Sequence, residues 1–171
     1  MEEIEILAEM RLAVTADKLS GDPVGWDENS RPDQLRLTLP LDVQSPTKGT
    51  VRLEMRATRR SPDRDVSATL VVTLKGRDFR AWRMDWRPIH PHTNRVGSRD
   101  VKGLTVKTGI HDFEANARLG LERMQRDDLP ICLPFEPDPH DFQAFVRCVL
   151  DLLRVAPTEP VLGPPWSPTL F

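Results

Sequence analysis

The sequence predicts an α+β fold: an N-terminal helix, an antiparallel meander of four to five strands, two C-terminal helices packed on one sheet face, and an extended proline-rich tail. Three observations carry this. Apolar residues recur at helical spacing near both ends, they alternate with polar residues through the middle, and the alternating runs are joined by only a few residues. Such short connections join antiparallel neighbours, because a parallel crossover needs about a dozen residues or more. The 171 residues are read as one domain, with helix over 1–20, sheet over 34–108, two helices over 112–155 and tail over 156–171.

Ile4, Leu7, Met10 and Val14 form an apolar stripe, and Glu2, Glu3, Glu5 and Glu9 suit the positive end of a helix over 3–19. Gly21, Asp22 and Pro23 stop it, and 21–33 reads as a polar loop containing Trp26. Four alternating runs follow: Leu35, Leu37, Leu39, Leu41; Val51, Leu53, Met55, Ala57; Val66, Ala68, Leu70, Val72, Leu74; and Trp82, Met84, Trp86. Pro40 removes a ladder donor and marks an edge or a strand end. A fifth strand is expected over 103–108. Asp112 caps a helix striped by Phe113, Ala117, Leu121 and Met124, and Asp138-Pro139 opens a second, more apolar helix that carries Phe142, Phe145, Val146, Val149, Leu150 and Leu153. The tail has five prolines, and its Trp166, Leu170 and Phe171 suit packing on the body or on a partner.

Strict alternation makes the sheet two-faced. Trp82, Met84 and Trp86 are expected under the helices, with Arg36, Arg52, Arg56, Lys75, Arg83 and Arg87 on the opposite side, in water. On that reading Arg83→Ala is nearly neutral and Trp86→Ala is a core truncation.

Charge is segregated along the chain. Residues 47–107 hold 15 Lys and Arg against six acids, whereas both flanking stretches are acidic and the total is −2. A basic centre raises the local concentration of an anionic partner, nucleic acid or an acidic protein surface. Arg52, Arg56, Lys75, Arg83 and Arg87 are the anion-binding candidates. Against nucleic acid stands the lack of aromatics on that face for bases to stack on.

Two cysteines, Cys132 and Cys148, are too few for a disulfide scaffold and read as reduced core residues. The acidic start lacks the basic region of a signal peptide, and no apolar run reaches the roughly 20 residues of a membrane span. A cytoplasmic protein that does not engage membranes is expected. Phosphate-binding loops, dinucleotide fingerprints, serine-hydrolase elbows and zinc-protease motifs are all missing, so no cofactor is expected.

Ile89-His90-Pro91-His92-Thr93-Asn94-Arg95 follows a strand, where binding residues often sit. His90 and His92 could act as general base beside Arg95, with His111 as a further candidate, in a metal-independent phosphodiester cleavage. The plainer alternative is that these side chains shape a polar loop. Zinc would require further ligands at no recognisable spacing, and no metal site is expected.

Arg83-Met84-Asp85, Pro91-His92-Thr93-Asn94 and residues 111–134 resemble a family of small uncharacterised bacterial and mobile-element proteins. Its members carry an Arg-hydrophobic-Asp strand, a Pro-His-x-Asn loop and a following helix. The likeness covers half the chain, and residues 103–109 lack the family's His-x-His pair. No activity is established for the family, and the resemblance implies a role in mobile-element or defence biology, including toxin–antitoxin pairs. Three functions are therefore expected in competition: a binding module, a small ribonuclease-like hydrolase, and a protein-binding inhibitor or adaptor.

Overall fold

Each of the four alternating runs forms a long strand, in a computed structural model that describes residues 1–28, 33–156 and 162–166. Helix α1 (Glu3–Thr15) leads into short strands β1 (Lys18–Ser20) and β2 (Val24–Glu28). The long strands are β3 (Gln34–Val43), β4 (Thr50–Thr58), β5 (Val66–Leu74) and β6 (Arg77–Trp86). Strands β7 (His92–Thr93) and β8 (Thr105–Val106) form a separate ribbon before β9 (Gly109–His111). Then come α2 (Phe113–Ala117), α3 (Leu121–Arg126), β10 (Leu133–Pro134), α4 (Phe142–Leu152) and β11 (Val155–Ala156).

The main sheet has nine strands, not four to five, in the order β10-β9-β6-β5-β4-β3-β1-β11, with β2 paired to β3 beside β1. All pairs are antiparallel except β1 with β11. The added strands have two to five residues, too few for a period-two pattern to stand out. Residues 103–108 do not supply the fifth strand: Thr105 and Val106 pair with Thr93 and His92, and β9 extends the main sheet instead. The first helix stops at Thr15, because Lys18–Ser20 pairs with β3 on one side. Pro40 lies between the β3 residues bonded to β1 and those bonded to β2, where its missing donor disrupts neither ladder.

Two local features refine the alternation. Lys75 (φ 50°) and Gly76 (φ 74°) form the tip of the β5–β6 hairpin, both left-handed as a two-residue type I′ turn requires. In β6 the register shifts between Leu70↔Trp82 and Val71↔Arg80, which leaves Ala81 as a bulge. Phe79 thereby joins Trp82, Met84 and Trp86 in the core.

Helices α1 and α4 bring Met10, Ala13, Phe142, Phe145, Val146 and Val149 into one core with the sheet's apolar face. Trp86 stacks on Phe145 with ring centroids 5.3 Å apart and donates its indole proton to Pro139 O at 3.0 Å. The Trp-in, Arg-out orientation of β6 is as the alternation predicts.

Among the described residues three helices, rather than two, follow the sheet's long strands. Asp112 caps as expected, accepting from Ala115 N at 3.0 Å, but Gly120 (φ 84°) splits the helical stretch into α2 and α3. The last helix begins at Phe142 with Asp141 as its cap, accepting from Ala144 N at 2.7 Å. Asp138 is instead taken by Arg87 and Thr108. In the tail, Leu162 is buried, Trp166 sits edge-on to Phe142 at 5.4 Å, and Gly163 O accepts from Trp26 Nε1 at 2.8 Å. This part of the tail packs on its own body; Leu170 and Phe171 lie outside the described residues.

Lys18 is buried, with Nζ 2.5 Å from both Ala16 O and Leu153 O and 3.4 Å from Val14 O. Its ammonium thus sits where the C-terminal ends of α1 and α4 meet, the negative ends of both helices. Cys132 and Cys148 are both free thiols. Among the described residues no helix is long and apolar enough to cross a membrane.

Candidate functional site

Register fixes which side chains meet on the sheet face away from the core. One cross-strand row reads Asp27, Arg36, Arg56, Ser67, Asp85 and the next reads Thr38, Glu54, Thr69, Arg83, His111. Contrary to the sequence expectation, most of the arginines here are not free in water but paired with acids. Arg52 reaches Asp78 at 2.6 Å and Glu54 at 2.9 Å, and its hydrogen bond holds the Asp78 carboxyl below the usual carboxylate range. Arg83, with its side chain only 16% exposed, lies 3.1 Å from Asp85 and 2.8 Å from Asp128, and Arg80 shares Asp128 at 2.8 Å.

Two of the expected anion-binding residues lie off this row structure. Lys75 is exposed at the hairpin tip. Arg87 takes a left-handed conformation (φ 47°) after β6, pairs with Asp138 at 2.6 Å and lies over the Trp86 ring at 4.9 Å. Arg56 does remain on the face, half-buried beside Arg36. Among the described residues neither makes an ion pair or a side-chain hydrogen bond, and Arg36 Nε is buried without a partner. Burial, and then the charge of Arg36, lowers the Arg56 pKa from its ordinary value.

The second cluster borders this face. His92 and His111 come from separate segments, yet their ring centroids are 5.0 Å apart in an edge-to-face arrangement. His111 is fully buried. Its Nδ1 donates to Leu129 O at 2.5 Å, and Nε2 lies 2.9 Å from Asp85 Oδ2. Arg83 Nη2 is 2.8 Å from Nε2 and 3.4 Å from Nδ1, distances that put it over the ring face rather than on an in-plane lone pair. Both in-plane positions therefore face acceptors, and one proton must lie between Nε2 and Oδ2. Burial is the largest influence on Asp85 and opposes its charge, but the His111 hydrogen bond and the Arg83 guanidinium outweigh it and keep this carboxyl below its ordinary pKa.

The purpose of the cluster is visible in the segment it grips. Asp128 (φ 56°) and Leu129 (φ 57°) are consecutive left-handed residues, a strained arrangement for side chains other than glycine. From Leu129 to Cys132 each carbonyl is captured by a different side chain. His111 takes Leu129 O, His92 Nε2 takes Pro130 O at 2.8 Å, Asn116 Nδ2 takes Ile131 O at 2.9 Å, and Asn94 Nδ2 takes Cys132 O at 2.8 Å. The two asparagines also accept from the amides of Ile131 and Cys132. Side chains here do what a neighbouring strand would do, satisfying backbone that has no ladder of its own.

This geometry sorts the catalytic candidates. His111 has no in-plane nitrogen left for a substrate and no exposed surface. His92 keeps only Nδ1, and burial lowers its pKa from the ordinary imidazole value. His90 and Arg95 are exposed, and among the described residues neither makes a hydrogen bond or ion pair. Among those residues no three His, Cys, Asp or Glu side chains converge as metal ligands would. Asn116, Asp128 and Lys18 were not picked out by sequence reasoning. Asn116 lies in a helix that otherwise reads as apolar packing, and Asp128 and Lys18 are charges with no pattern to set them apart. Comparison with protein-family models, curated proteins and solved structures finds no match to this chain.

Proposed function

We propose that the protein is a non-catalytic binding module that receives an anionic partner, nucleic acid or an acidic protein surface, on the open face of its sheet. The observation supporting this is the gathering of Arg36, Arg52, Arg56, Arg80 and Arg83 from neighbouring strands on the side of the sheet opposite the core. Binding to such a face weakens steeply as salt rises, because contacts to a polyanion release counterions. Fluorescence anisotropy with labelled RNA, DNA and an acidic peptide, each across a salt series, tests this. Absence of salt-sensitive binding to all three ends the reading. The resemblance noted in the sequence adds mobile-element or defence biology as the setting.

A second reading, a small metal-independent ribonuclease-like hydrolase, draws on His92, whose Nδ1 meets no partner among the described residues while its Nε2 is held by Pro130 O. Its test is cleavage of a fluorogenic RNA by wild type and by His92→Ala; activity that vanishes in the variant favours the hydrolase.

A further inference from the structure

Of the described acids on the open face, all but Asp27 are already engaged; Asp27 stands opposite Arg36 and makes no ion pair among the described residues. Glu54 and Asp78 hold Arg52, Asp85 holds His111 and Arg83, and Asp128 holds Arg80 and Arg83. Asp65 accepts from Thr58 Oγ1 at 2.9 Å and faces the amide of Ile89. Arg36 and Arg56 are left over, directly opposite one another on β3 and β4. Like charges in that register destabilise a sheet, with Cβ atoms only about 5 Å apart. The pair is half-buried, so water screens the repulsion incompletely. Two polar hollows of about 220 and 120 Å³ open beside Arg56 and Ser67, lined also by the engaged carboxylates Glu54, Asp65, Asp85 and Asp128, while Arg36 borders neither.

We propose that Arg36 and Arg56 form a discrete oxyanion seat, and that its occupant is a single carboxylate presented by an acidic segment of a protein partner. This rests on the binding-module reading and names its site and ligand. Two guanidiniums side by side suit one planar or tetrahedral oxyanion through paired N–H donors. A nucleic-acid backbone suits the face less well. It needs several free cations in line, whereas the other arginines here are paired and Asp27 and Asp85 close both ends of the row. Nor does the face carry an aromatic among its described residues for a base to stack on. An acidic protein segment can place one carboxylate between those fences.

The arginine Nε–Hε resonances of the ¹⁵N-labelled full chain report directly on the seat. The probes are inorganic phosphate, a capped hexaglutamate peptide and a short oligothymidylate, at fixed ionic strength. Saturable shifts at Arg36 and Arg56 with the peptide are expected, weakened about tenfold or more in Arg36→Gln and Arg56→Gln, while Arg80 and Arg83 stay in place. In anion-free buffer Arg56→Gln is expected to melt at or above the wild-type temperature, because a repulsion has been removed. A large fall in melting temperature instead makes Arg56 a structural residue and overturns the proposal.

Shifts spread over exposed lysines and arginines without saturation also overturn it. Peptide binding that both variants retain removes this seat but leaves the binding face standing. Saturation by phosphate with no response to either polymer removes the protein partner and the binding-face reading together. Tighter binding of oligothymidylate at the same two resonances replaces the acidic protein with nucleic acid.

Discussion

His111 Nδ1 donates to Leu129 O at 2.5 Å, tying the end of β9 to the second of two left-handed residues. The bond joins residues 18 apart in sequence and has no access to solvent. His111→Ala leaves that carbonyl without its partner in a buried site and the Asp85 carboxylate with Arg83 alone. The expected loss is about 3–5 kcal/mol. For a chain of this size that lowers the melting temperature by on the order of 10 °C, readable by calorimetry or circular dichroism.

Trp86→Ala is expected to cost about 3–5 kcal/mol, because it removes a fully buried ring stacked on Phe145. Arg83→Ala is expected to cost about 2–3 kcal/mol, far more than the near-neutral change that alternation alone suggests. Its guanidinium is the common partner of Asp85, Asp128 and the His111 ring. Chemical denaturation of both variants checks the pair; an Arg83→Ala loss under about half a kcal/mol would show a merely superficial arginine.

Alkaline pH separates two buried groups of opposite sign. Burial pushes Lys18 down to about 8, so between about pH 8 and 10.5 the unfolded chain holds a proton that the folded chain has lost, and stability rises with pH. The carbonyls around Nζ favour the charged form and keep this gain to at most about 3 kcal/mol. Burial pushes the Cys132 thiol up to about 12. There the folded chain keeps a proton that the unfolded one releases above about pH 9, and stability falls with pH. Urea midpoints across pH 7.5–11 are expected to rise over the Lys18 window in Cys132→Ala, and to fall above pH 9 in Lys18→Met.

Gly109 has no room for a side chain. A Cβ there would meet Val106 Cγ1 at 2.4 Å, Cys132 Sγ at 2.6 Å and Leu133 O at 2.7 Å. The last contact is backbone in the neighbouring strand β10, so it yields only if β9 and β10 separate. Gly109→Ala is expected to cost about 1–3 kcal/mol and to speed amide exchange in β10 selectively, which hydrogen-exchange mass spectrometry would register.

Legibility followed the length scale of the cause. The long strands and the inward turn of Trp82, Met84 and Trp86 were readable because each obeys a period of two over many residues. The Ala81 bulge was not, since a single added residue leaves no periodic trace. Pairing on the open face was hidden for a different reason: Asp128, which holds Arg80 and Arg83, lies about 45 residues away from them in sequence. His92 and His111 stood out as candidates for chemistry. Their partners are mainly backbone carbonyls, which every residue carries, so their holding role left no mark in the chain. That Arg36 and Arg56 make no ion pair among the described residues is likewise a property of the assembled face.

The one parallel pairing among the described residues sets a schedule. Lys18 lies beside Val155, and Asp17 meets Arg154 across 137 residues of chain. The hairpins from β3 to β6 close over short loops, whereas the side of β1 away from β3 waits for β11, 137 residues further on (Lys18 beside Val155), and so large a loop is slow to close. During synthesis the meander can therefore form while Lys18 is still hydrated. Shedding that hydration shell belongs to the final step, when the end of α4 and β11 arrive to cover it.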